Sequence, residues 1–252
     1  MADALEWQDV PCGLDDEPHP GSVVGLLALS TDMAVEPEIR TFLGNERQLY
    51  STRLPFDPQI SPESLQKLRG HIDGATRLLL PGKPLGAVAF GCTSGAIAVG
   101  PDVIRMLVRA VRPDVVVVDP ISAVSAGMGA LGMRRISVVT PYPESVNRMI
   151  AGFITQAGFK IVGASVLRAP GEGRTPPNRV KSEDIRAAAI AAGRGDVDGV
   201  FISCTALRCA AIVGEIEAEI GKPVVTSNQA MAWRILRETG AAGPGIGRLF
   251  DV

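Results

Sequence analysis

Gly86-Ala-Val-Ala-Phe-Gly-Cys92-Thr93-Ser94-Gly95-Ala-Ile-Ala-Val-Gly100 and Gly199-Val-Phe-Ile-Ser203-Cys204-Thr205-Ala206 are versions of one another, the second followed a few residues on by Ala-Ala-Ile-Val-Gly214. Each is a short apolar run bounded by Gly that ends in Cys-Thr, the pattern of a buried strand, and the small, Ala-rich segment after it reads as a helix packed back on that strand. Each Cys then stands at a strand-to-helix turn, where α/β sheets collect their ligands. Amide N–H groups at the start of the following helix hold anions there and favour a thiolate over a thiol. A single Cys at a strand end is usually packing. Two copies imply two related half-domains whose facing ends bring both thiols to one cleft.

Composition narrows the function. The 252 residues carry 25 Lys+Arg against 27 Asp+Glu, a net charge of −2 with no basic run, so nucleic acid is not an expected partner. No stretch approaches the ~20 apolar residues of a membrane span, and the N-terminus is acidic where a signal peptide is basic and then apolar, so no membrane is expected and the expected location is cytoplasmic. The four Cys are too few for a disulfide framework and lack CxxC or Cys/His spacing, so they read as reduced thiols and no metal site is expected. His19 and His71 are the only histidines, both in polar, loop-like surroundings. Any acid and base must therefore come from elsewhere, and Cys titrates closest to neutrality.

Strands and helices alternate along the rest of the chain. Residues 1–20 read as a loose, acidic arm. Val23 to Leu29 is a strand running into Ser30-Thr31-Asp32, where Asp32 is either a helix N-cap or a site residue. Leu49 to Leu54 is a strand, and Ser61 can cap the helix that begins near Pro62. Val115 to Val118, Ile136 to Thr140 and Phe159 to Leu167 are further strands. Tyr142 follows the second of these, either as a rim contact or as a donor to a carboxylate or oxyanion. Arg168 opens a Gly/Pro-rich segment, a plain connection or a lid that reads a carboxylate. The alternation predicts an α/β fold of two pseudo-symmetric half-domains, each a parallel sheet flanked by helices. The expected division is 21–122 plus 222–252 for the first half and 123–221 for the second. No GxGxxG or Walker pattern is present, so no nucleotide cofactor is expected.

Ser30-Thr-Asp-Met-Ala-Val-Glu36-Pro-Glu38, Gly91-Cys-Thr-Ser-Gly95, Val139-Thr-Pro-Tyr142 with Val146-Asn147, Ser203-Cys204-Thr205 and Gly243-Pro-Gly-Ile-Gly-Arg-Leu-Phe-Asp251 together resemble the aspartate/glutamate racemase superfamily. The likeness spans about Val23 to Val252 and is greatest to the branch of maleate cis-trans isomerase and arylmalonate decarboxylase, within it to the ectoine-utilisation protein A group. It implies a cleft between two α/β halves, no cofactor, a catalytic pair Cys92 and Cys204, and Thr93, Ser94, Tyr142 and Thr205 on the substrate carboxylate. Two departures bear on substrate. Asp32 stands where maleate isomerases have Asn, and their second Asn, in the long loop, has no counterpart near Arg168. Arylmalonate decarboxylase has Gly at the position of Cys92.

The expected function is thus a cofactor-independent isomerase that racemises an amino acid or its derivative through Cys92 and Cys204, with a place in ectoine catabolism, as a homo-oligomer. Asp32 and Arg168 join the hydroxyls as expected substrate contacts. A covalent maleate-type isomerase, a related decarboxylase and a non-catalytic carboxylate-binding protein stand as alternatives.

Overall fold

The computed structural model describes residues 7–57, 59–171 and 175–252. Its first half runs β1 (Val23–Leu29), α1 (Val35–Leu43), β2 (Gln48–Leu54), α2 (Pro62–Gln66), α3 (Ile72–Leu78), β3 (Ala87–Gly91), α4 (Thr93–Val99), α5 (Pro101–Val111), β4 (Val116–Val118) and α6 (Pro120–Ala130). The second repeats the plan with β5 (Arg135–Thr140), α7 (Glu144–Gln156), β6 (Lys160–Val166), α8 (Ser182–Gly193), β7 (Gly199–Ile202), α9 (Val213–Ile220), β8 (Val224–Thr226) and α10 (Ser227–Glu238). Each half holds a four-stranded parallel sheet, ordered β2-β1-β3-β4 and β6-β5-β7-β8. This is the two-sheet α/β fold expected from the repeated strand-Cys-Thr pattern.

The apolar runs fall where that order requires. β1, β3 and β7 are buried along their whole length because helices cover both faces of a parallel sheet, whereas β2 and β6 lie at edges and alternate with solvent. In each sheet the chain leaves the first strand to one side and returns on the other, so the crevice between β1 and β3, and between β5 and β7, is a topological switch point. The segments leaving these four strands carry Asp32, Cys92, Tyr142 and Cys204. No helix of the described residues is long and apolar enough to cross a membrane.

The structure corrects the reading in two places. The expected break after residue 122 falls inside α6, and 222–226 belong to the second half, because β8 pairs with β7. Only from Ser227 does the chain cross over, as α10 packs against α6, α1 and β4. Nine of its residues are buried, which requires protein on nearly every side. The second Cys-Thr, moreover, opens no helix. After β7 the chain loops for ten residues, 203–212, before α9 begins at Val213.

Candidate active site

Between the halves lies a cavity of about 100 Å³. Asp32, Cys92 and Ser94 reach it from the first half, and Tyr142, Cys204 and Thr205 from the second. Leu29, Phe56 and Ile60 form an apolar wall, and Pro176, Pro177 and Asn178 close another side.

Cys92 is the N-cap of α4. Its sulfur accepts the Gly95 N–H at 3.2 Å and lies 3.7 Å from Ser94 Oγ. Gly95 is required here, since a Cβ would stand 2.9 Å from that sulfur and 2.8 Å from Leu68 Cδ1. The amide favours a thiolate, but burial outweighs it and, with the nearby charge of Asp32, pushes the thiol up to about 11. The expected thiolate-favouring turn is therefore present only in part: the donor is there, in a site too dry to ionise the sulfur at neutral pH.

Cys204 differs in its backbone. Its φ of 152° lies in a region that residues with a side chain rarely adopt, a form of local strain that neighbouring contacts must hold. Its N–H donates to Ser227 Oγ at 3.2 Å, and the same oxygen receives the Thr93 hydroxyl at 2.8 Å. Burial pushes this thiol up to about 12, against the hydrogen bond from the Tyr142 hydroxyl and that of the Ala206 amide. Tyr142 is itself held by Asn147, whose Nδ2 donates to the Tyr142 carbonyl at 3.1 Å while its Oδ1 accepts the Thr140 hydroxyl at 2.6 Å. Burial raises the Tyr142 hydroxyl well above its usual value, and the two neighbouring thiols add to this, so it stays a neutral donor.

Asp32 stands both at the entry to α1, whose N-cap position is Ala34, and at the cavity wall. Its Oδ1 accepts the N–H groups of Ala34 and Val35 at 2.8 and 2.9 Å, at the entry to α1. Its Oδ2 meets Thr205 Oγ1 at 3.0 Å, across the interface and at the cavity wall. That hydroxyl also lies 3.2 Å from the Gly91 carbonyl, so its one hydrogen is shared between two acceptors. Burial raises the carboxyl above the usual aspartate range, while the two amides, Thr205 and Arg53 pull the other way. Behind it Arg53 binds the Asp32 carbonyl and pairs with Glu36.

Two expected contacts lie elsewhere. Thr93 is buried with its hydroxyl turned to Ser227, so it supports Cys204 and does not line the cavity. Arg168 is exposed and borders a separate cavity of about 430 Å³ with Arg179 and Lys181. Asn178, also at the cavity wall, was not among the expected site residues. Its Oδ1 accepts the Met33 N–H at 3.1 Å and its Nδ2 donates to the Thr31 carbonyl at 2.9 Å, pinning the loop of the second half onto the turn that carries Asp32. An Asn after Pro-Pro was the only signal, and the nine residues between it and Arg168 hid it.

The family model described as "Amdase: Arylmalonate decarboxylase" matches residues 34–250. Arylmalonate decarboxylase of Bordetella bronchiseptica is 34% identical over 134 residues, 52% of this chain and 55% of that protein, so this match spans about half the relative's length. Maleate isomerase of Nocardia farcinica is 26% identical over 240 residues, 90% of this chain and 94% of the relative. Among solved structures, the Nocardia farcinica maleate cis-trans isomerase bound to TRIS has a TM-score of 0.80 at 24% identity, covering 90% of this chain and 97% of that one. A cysteine-to-serine mutant of the same enzyme, with a covalently bound succinylcysteine intermediate, has a TM-score of 0.81 at 23% identity and the same coverage.

Proposed function

We propose that this chain, which belongs to the arylmalonate decarboxylase family, catalyses the cofactor-independent racemisation of a small amino acid or amino acid derivative, with Cys92 and Cys204 as paired proton carriers. The observation that carries this reading is the opening of two thiols, one from each half-domain, into one small enclosed cavity. Inverting a carbon that bears hydrogen needs a base on one face and an acid on the other.

In this mechanism the positive charge of the substrate ammonium offsets the burial that otherwise keeps both sulfurs protonated, so that one Cys loses its proton to solvent as substrate binds. Its thiolate takes the proton from the α-carbon, and the electron pair of the broken C–H bond passes into the carboxylate as an enediolate. The opposing thiol then gives its proton to the other face and is left as a thiolate. The two cysteines have exchanged protonation states, ready for the reverse direction. Ser94 and Tyr142 stand around the same space as hydroxyl donors for the carboxylate and its developing charge, while Thr205, whose hydrogen goes to Asp32 and the Gly91 carbonyl, holds Asp32 at the cavity wall. The carboxylate of Asp32 accepts a substrate ammonium and disfavours a second carboxylate. A role within ectoine utilisation is the narrowest form of this proposal and rests on Thr31-Asp32 and the Gly91 to Gly95 motif.

A second reading is supported by the succinylcysteine intermediate of the structurally similar isomerase. In it one thiolate adds to a carbon–carbon double bond, rotation follows, and the same sulfur leaves. Incubation in deuterated water separates the two. Racemisation predicts one deuterium at the α-carbon of each inverted amino acid, read by mass spectrometry after chiral chromatography. Conversion of maleate with a sulfur adduct, and no exchange into any amino acid, overturns it.

A further inference from the structure

The loop 203–212 carries Cys204 yet has no helical ladder of its own. Leu207 N–H bonds the Cys204 carbonyl at 3.3 Å, and the N–H groups of Ile212 and Val213 both reach the Cys209 carbonyl at 3.0 Å, so the loop is two turns in series. The first turn is tied down at Ser227, and by Asn228, whose Nδ2 donates to the Thr205 carbonyl at 2.8 Å. The second turn is tied by one side chain from the other half-domain. Glu38 of α1, 7% exposed, accepts the Cys209 N–H at 2.8 Å and the Ala210 N–H at 3.0 Å on Oε2, and the Ala210 N–H again at 3.1 Å on Oε1.

A carboxylate is an expensive group to bury for packing alone. Burial does raise Glu38 above the usual glutamate range, opposed first by those two amides and then by Asn228 and the charge of Arg208. Its position is suited to two N–H donors that a loop between strand and helix otherwise leaves unpaired. We infer that Glu38 is a positioning residue for Cys204: it clamps the 203–212 loop across the half-domain interface and so holds Cys204 in its left-handed conformation with the sulfur in the cleft. The inference rests on the reading of Cys204 as a proton carrier, but its first test does not.

That test is alkylation by iodoacetamide at pH 8, followed separately at Cys92 and Cys204 by peptide mass spectrometry, with kcat and KM measured alongside. In Glu38→Ala, water reaches Cys204 and lowers its pKa, so its alkylation accelerates by about tenfold or more while Cys92 stays within about twofold. The same variant loses kcat with little change in KM. Glu38→Gln keeps an amide oxygen where Oε2 stands, and its Cys204 rate lies close to that of the unaltered protein. An unchanged Cys204 rate in Glu38→Ala, or equal acceleration at both sulfurs, overturns the inference. If Glu38→Ala does not fold, Glu38→Asp retains the charge but withdraws it by one methylene, and a Cys204 rate equal to that of the unaltered protein overturns it equally. Absence of isomerase activity in the unaltered protein would instead sink the functional proposal and leave the alkylation comparison standing.

Discussion

Cys92 and Cys204 occupy corresponding positions in the two halves, each just beyond the third strand of its half, yet they are held in different ways. Cys92 has an ordinary extended backbone, φ −153°, and caps a helix that begins at the next residue. Its amide donor comes from its own chain three residues on. Cys204 has a left-handed φ, no helix for nine residues, and partners from distant segments: Ser227, Tyr142 and, through the loop, Glu38. Duplication of a sequence pattern has therefore preserved the place of the sulfur and changed what supports it. A local support makes a site that survives perturbation elsewhere, whereas a tertiary support ties reactivity to the closure of the two halves.

The largest effect expected from this comparison is the loss of turnover when either sulfur is removed. Cys92→Ala and Cys204→Ala each abolish racemisation, a fall of about 10³-fold or more, since one face of the substrate loses its proton carrier. The two should differ in handedness: each variant still exchanges the α-proton of one enantiomer with deuterated water, and the two variants favour opposite enantiomers. Retention of full activity by either one breaks the pairing.

A smaller effect is the order of reaction. With thiols pushed up to about 11 and about 12, Cys92 should be alkylated faster than Cys204 between pH 8 and 10. The difference is about threefold once the greater nucleophilicity of the more basic thiolate is set against its smaller fraction, and both rates rise with pH because the thiolate is the nucleophile. Site-resolved alkylation rates check the order, and a faster Cys204 would mean that its loop is open in solution.

The smallest concerns Asp32, whose charge raises both thiols. Asp32→Asn removes that charge while leaving an oxygen for the Ala34 and Val35 amides, so the stability measured by urea unfolding should change by less than about 0.5 kcal/mol. Both thiols should then ionise at lower pH and alkylate a few-fold faster, and the specificity constant for an amino acid should fall relative to that for a diacid. An unchanged ratio would mean that Asp32 only shapes the entry to α1.

The order of strands and helices, the two-half plan and the meeting of both thiols were legible because they rest on local patterns repeated twice: apolar runs long enough for one buried strand, ended by Gly and Cys-Thr. Asp32 and Tyr142 were legible for the same reason, as polar residues just beyond two such runs. What depended on contacts between distant segments was not. The crossing of α10 after β8, the ten-residue loop that sets the second Cys-Thr apart from its helix, the turning of Thr93 to Ser227 and the arrival of Asn178 and Glu38 all follow from how the halves dock. Ser203-Cys204-Thr205 resembles Gly91-Cys92-Thr93 residue by residue, but hydrogen-bond partners from α1 and α10 decide its conformation. The sequence by itself determined which sulfurs share the cleft; only the tertiary structure decided how dry each one is and what holds it, because desolvation and long-range hydrogen bonds are set by neighbours that the chain brings together on folding.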